Sequence, residues 1–226
     1  MKLYELCESS SGYLYNFEVM CHEPGVSNKP LDICLRRLEP LSNRGHTLYV
    51  DSYYCNPELC HTLAAENTAV VGTVRANRIG MPKDLVQQPM QTGDNDFRRK
   101  NEVLRVRWKD KRDVFMLTTK QLPEMQQKRS RTEQKMKPVC VVDYICNMAG
   151  VDKSDQMISY LPLHRNTVKW WKKLLLHLLT LVKIQAHCLY NKNEKKNGRK
   201  TVRLKTLWYL CAKNWPISRL SLHVMS

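Results

Sequence analysis

The chain has 226 residues, 42% of them hydrophobic, enough to bury a core and to exclude general disorder. It carries 37 Lys and Arg against 21 Asp and Glu, a formal charge of +16, which points to an anionic partner and to nucleic acid first. Nine cysteines without a CxxC pair exclude a zinc ribbon or thioredoxin-type motif.

The start, "MKLYELCESS", has no apolar leader core, so a secreted disulfide framework is not expected. The longest apolar run, "LLLHLLTLV", spans nine residues and includes His177, too short to cross a bilayer. The expected compartment is the cytosol or nucleus, with no membrane partner.

"KLYELC" and "GYLYNFEVMC" flank the polar turn "ESSSG". Tyr13, Tyr15, Phe17 and Val19 alternate with Leu14, Asn16 and Glu18, the period of a half-buried strand, so a β-hairpin is predicted. In "PLDICLRRLEPL", Leu31, Cys34, Leu35, Leu38 and Leu41 fall at helical spacing after Pro30. "GHTLYVD" reads as a short strand ending on Asp51. "NPELCHTLAAEN" reads as a helix capped by Asn56 with Pro57 in its first turn. "AVVGTVRANRIG" is a strand running into a basic loop with Arg75 and Arg78.

Residues 87–101 read as a polar, flexible connection. "EVLRVRWKD" and "DVFMLTT" form a second predicted hairpin, and residues 120–137 read as a solvated basic linker. "PVCVVDYIC" is a strand candidate. From Thr167 to about Asn191 the pattern is helical. Trp170, Trp171, Leu174, Leu175, Leu178, Leu181, Val182, Gln185 and Leu189 make a stripe broad enough for a helix buried on most sides. Trp170 and Trp171 are read chiefly as core anchors. "NKNEKKNGRK" breaks that helix, and the tail, with Trp208 and Trp215, shows no clear plan.

Three carboxylates fall at element ends: Glu8, Asp51 and Asp152. Side chains at strand ends can converge on one edge of a sheet. Three convergent carboxylates can hold divalent cations at a phosphodiester. Asp155, three residues after Asp152, shares its helical face. The plain alternative is that Asp152 stabilises a helix start and that Asp51 is a turn residue. Arg75 and Arg78 are candidate phosphate contacts, as are Lys169, Lys172 and Lys173 in "KWWKK" and Lys153 between the two aspartates. No HxxxH or HExxH pattern occurs, and no GxxxxGK[ST] phosphate loop, so histidine metal chemistry and a nucleotide cofactor are not expected.

The segments "LCESSSGYLYNFEV", "GHTLYVDSYYCNPELCHTL", "GTVRANRIGMP", "WKDKRDVFMLTT" and "NMAGVDKSDQM" follow one another in the order of piggyBac-type transposases, which the chain resembles from about Lys2 to Asn193. The resemblance implies an α/β fold, a ribonuclease-H-like mixed sheet flanked by helices, with an insertion before the last catalytic Asp. It implies DNA transposition by cleavage and strand transfer at phosphodiesters, dependent on Mg²⁺ or Mn²⁺, in the nucleus, with DNA as partner and a homodimer as a further option. The middle metal ligand maps to Asp51 and the last to Asp152; Asp155 maps to a further acidic position. The first maps to Glu8, where the family pattern has Asp, and the extra methylene displaces the carboxylate in a site of tight tolerance.

The implied organisation is a first core segment over 1–86, an insertion and basic linker over 87–138, a last core segment over 139–193 and a basic tail over 194–226. The family's N-terminal DNA-binding region and its Cys-rich C-terminal module have no counterpart in the sequence given. A partial, inactive transposase derivative is therefore expected, with a non-catalytic DNA-binding protein or a functionless remnant as the alternatives.

Overall fold

A computed structural model describes residues 2–20, 24–129, 134–161 and 169–213. Contacts divide the chain into two units: Met1–Leu6 with Asn16–Ala149, and Cys7–Tyr15 with Gly150–Ser226.

The first unit is built on a five-stranded mixed sheet of β3 (Thr47–Val50), β4 (Ala69–Thr73), β5 (Asn95–Lys100), β6 (Val103–Lys109) and β7 (Asp113–Thr118). The order is β3-β4-β7-β6-β5. β3 and β4 are parallel and the other pairs antiparallel. The helix α2 (Pro57–Ala65) makes the crossover a parallel pair requires. Asn56 caps α2, its side-chain oxygen accepting the Leu59 N–H at 2.8 Å, as the sequence predicts.

Strand alternation sorts the core onto two faces. Leu48, Val50, Val70, Val103 and Leu117 meet α1 (Pro30–Leu38) and α2 through Cys34, Leu38, Leu59, Cys60 and Leu63. Val71, Leu104, Val106, Trp108 and Met116 meet Cys140, Val141 and Tyr144 on the other face. Those last three residues lie on α4 (Val139–Asn147), so "PVCVVDYIC" is a helix rather than a strand. A short apolar run fits either state, and here it covers a sheet face that needs a lid. Gly72 belongs at its central place because a Cβ there would stand 2.7 Å from the Val50 carbonyl oxygen and 2.8 Å from Cys55 Sγ.

Residues 87–101 are not simply a connection, because Asn95–Lys100 adds β5 to the sheet edge in full register with β6. Nor is 120–137 merely a linker: β8 (Met125–Arg129) and β9 (Gln134–Pro138) pair as a separate hairpin. Positions 130–133 of that stretch lie outside the described residues. Polar edge strands bury one flank at most, so they leave no apolar alternation to read. The short helix α3 (Lys83–Gln87) buries Leu85.

The first predicted hairpin forms as β1 (Leu3–Cys7) and β2 (Leu14–Val19). Its outer ends belong to the first unit and its tip, Cys7–Tyr15, to the second. The end of the predicted second strand, Cys21, lies outside the described residues.

In the second unit the tip meets α5 (Gly150–Ser159), α6 (Trp170–Lys196) and α7 (Leu204–Lys213) around Ile184, Cys188 and Leu204. The start predicted at Thr167 lies outside the described residues, as does Trp215. α6 runs on through "NKNEKK" to Lys196, and the tail, for which no plan was legible, supplies α7. Asn191 secures that return, accepting the Val202 N–H at 2.9 Å and donating to the Val202 carbonyl at 3.0 Å. The expectation that α6 is buried on most sides is not met. Leu181, Ile184 and Cys188 are buried, whereas Leu175, Leu179, Val182 and Leu189 are exposed. Trp170 and Trp171 are 67% and 48% exposed, so neither is a core anchor. Among the described residues no helix is long and apolar enough to cross a membrane.

Candidate functional site

Asp51 follows β3 in the first unit and is exposed. Its Oδ1 accepts the Tyr53 N–H at 2.9 Å and the Tyr54 N–H at 3.4 Å, an Asx-type turn, while its carbonyl accepts from Cys55 N at 3.0 Å. Arg78 braces this loop, with Nη2 donating to the Ser52 carbonyl at 2.6 Å and the Tyr53 carbonyl at 3.2 Å. Arg78 thus spends its guanidinium on the loop that carries Asp51. Arg75 is exposed, and its side chain has no partner among the described residues. Beneath the loop, burial first and the Asp51 charge second push the Cys34 thiol up to about 12, so it is an inert core group.

Glu8, Asp152 and Asp155 belong to the second unit. The Glu8 carboxylate accepts from the Ser11 hydroxyl and pairs with Lys192 Nζ at 3.0 Å. The Ser11 hydrogen bond first, then Lys192, hold its pKa below the ordinary glutamate value. Gly12, at φ +73°, closes this turn under α5, where an added Cβ would meet Lys153 Cβ at 2.9 Å. Lys153 donates to the Ser9 and Ser10 carbonyls at 2.7 and 3.2 Å, so its ammonium tethers the turn to α5.

Asp152 and Asp155 are exposed along α5 and have no hydrogen-bond or ion-pair partner among the described residues. Asp152 stands in the first turn, where a negative charge favours the helix dipole. Lys169, Lys172 and Lys173 are exposed at the start of α6, with Lys172 Nζ 5.5 Å from the Trp171 ring centroid.

Sequence reasoning passed over Asp143 on α4. Its carboxylate takes Tyr49 Oη at 3.1 Å, Lys120 Nζ at 2.9 Å, Asn147 Nδ2 at 3.0 Å and the Gln121 amide. Burial opposes the Lys120 charge, but Asp143 and Tyr49 outweigh it and raise the lysine's pKa. Reading "DYICN" as helical would have exposed the signal, since Asp143 and Asn147 are four apart.

Carboxylates are the right donors for a hard divalent cation. Among the described residues, however, no three His, Cys, Asp or Glu side chains gather to hold a metal ion. The Glu8 oxygens already serve Ser11 and Lys192. Among the described residues, neither unit by itself gathers such a donor set.

A solved structure of the same architecture is described as "Cryo-EM structure of piggyBac transposase synaptic complex with hairpin DNA". It matches with a TM-score of 0.80 at 22% identity, over 92% of this chain and 44% of that one. The fold is therefore the expected α/β, ribonuclease-H-like mixed sheet flanked by helices, that of a DDE-type transposase, and the chain spans 44% of that relative's length. The family described as Transposase IS4 matches over residues 1–187, and the chain belongs to it. It is a transposase-derived protein.

Proposed function

We propose that this chain is a piggyBac-type transposase derivative that binds DNA through its basic surface without needing a metal. The observation that carries this reading is the family match over residues 1–187 joined to a formal charge of +16. The solved relative is described in a complex with DNA, which supports DNA as the partner. Arg75, Lys172 and Lys173 are the phosphate contacts we assign, with Lys169 beside them. Arg78 and Lys153 act through the loops they brace. The nucleus is where such a chain would meet DNA, and a homodimer would double the contacts.

The test is duplex DNA binding by the whole chain across a salt series, with and without Mg²⁺. Phosphate contacts make affinity fall steeply with salt. The reading expects that fall, with indifference to Mg²⁺ and to Asp51→Asn. Binding absent at low salt would refute it.

A second reading is favoured by Asp152 and Asp155, which are exposed and have no partner among the described residues. Transposases of the DDE class use divalent metal ions, and here Glu8, Asp51 and Asp152 would be the inherited ligands for Mg²⁺ or Mn²⁺, with Asp155 in support. Calorimetric titration with Mn²⁺ separates the two. Binding lost in Asp51→Asn supports an assembled site, and no specific binding by folded protein leaves DNA binding alone.

A further inference from the structure

A basic cavity opens in the first unit, and Asp51 is not among the residues that line it. It has a volume of about 470 Å³ and is lined in part by His61, Asp84, Arg98, Arg99, Lys100 and Arg105. That volume lies within the range of roughly 300–1,000 Å³ of small-ligand sites.

Its charges are poorly balanced. Arg98 and Arg105 lie directly opposite each other across β5 and β6, a like-charge placement that costs stability. Arg98 is neutralised, with Nε 2.8 Å from Asp84 and Nη1 2.6 Å from Asp96. Arg105 is not. It is 4% exposed, and the acceptors it reaches are carbonyls, Gly80 at 3.3 Å and Val103 at 3.4 Å. Its neighbour on the same strand face, Arg107, is equally deep but has Asp113 at 2.9 Å. A buried guanidinium without a carboxylate is costly unless an anion answers it.

At the rim, Arg99 donates to the Asn101 carbonyl at 3.0 Å, and Lys100 is exposed without a partner among the described residues. Asp84, the lining carboxylate, is committed to Arg98, and Glu102 nearby faces His61 at 3.3 Å.

We infer that this cavity is an anion site for a phosphate group, with Arg105 as its buried floor and Arg99 and Lys100 as its rim. Guanidinium geometry favours phosphate over a spherical anion. Two sources carry that chemistry: the DNA backbone, which rests on the proposed function, and a free polyphosphate, which does not.

The test uses the whole chain and two probes, a short DNA duplex and inorganic tripolyphosphate. Arg99→Ala/Lys100→Ala is compared with Lys111→Ala/Arg112→Ala, an equal charge loss in the exposed turn between β6 and β7. Both pairs are surface residues, so folding is preserved and Arg105 is untouched. If the backbone is the ligand, the slope of log affinity against log salt falls by about 2 in the cavity variant and much less in the control. Tripolyphosphate binding would weaken at least about tenfold in the cavity variant alone, since two charge-assisted contacts are removed.

A cavity-specific loss for tripolyphosphate with unchanged duplex binding makes a free polyphosphate the ligand. The same loss in a protein that binds no duplex keeps the site and refutes the DNA reading. Equal behaviour of the two variants with both probes overturns the site, and wild-type duplex binding would then still uphold the DNA reading.

Discussion

Glu8 holds its negative charge more firmly than a free glutamate, through Ser11 first and Lys192 second. A carboxyl with a depressed folded pKa adds stability above its unfolded pKa, and that contribution is lost as pH falls through the folded value. The urea midpoint should therefore drop below about pH 4.5, the ordinary range of a glutamate, and Glu8→Gln should flatten that part of the profile. A Glu8→Gln profile that overlays wild type would show the Lys192 pair to be idle. Gly72 makes a sharper demand, because backbone offers no flexible end to yield. Gly72→Ala should cost about 1–3 kcal/mol by overpacking, read as a lowered denaturant midpoint. Asn56→Ala should cost about 1 kcal/mol through loss of the α2 cap.

Among the elements, α4 and α6 invert what their sequences promise. α4 looks like a strand and is the helix that covers one sheet face, with Asp143 binding Tyr49 and Lys120 to it. Asp143→Ala leaves that lysine without its carboxylate but with Tyr49 Oη at 3.2 Å, and because Lys120 is partly exposed the cost should be about 2 kcal/mol in a denaturant melt. α6 looks like a buried helix and presents its two tryptophans outward. Trp170→Ser with Trp171→Ser should shift stability by no more than about 1 kcal/mol, against the 3–5 kcal/mol per residue expected of core aromatics. A loss of the larger size in the isolated protein would mean that these rings are packed.

On the scale of the whole chain, order should follow burial. Val70, Val71, Leu104, Met116 and Leu117 are at most 1% exposed, on the three middle strands of the sheet. Their amides should exchange most slowly with deuterium, and those of β8 and β9, a two-stranded hairpin, far faster.

Local periodicity carries the first hairpin, α1, α2 and the β6–β7 hairpin, because their apolar spacing and caps are properties of adjacent residues. The ordered motifs carried the fold class as well. Motif order singles out Asp51, Asp152 and Glu8 as candidates, whereas their surroundings are not legible from it. That Lys192, 184 positions away, answers Glu8 is a product of the fold alone. So is the difference between Arg105 and Arg107, two similar residues on one strand of which, among the described residues, Arg107 alone meets a carboxylate. The edge strands β5, β8 and β9, the helical state of α4 and the outward tryptophans of α6 were also decided in three dimensions. Each depends on which surface needs covering, and a sequence window does not contain its neighbours in space.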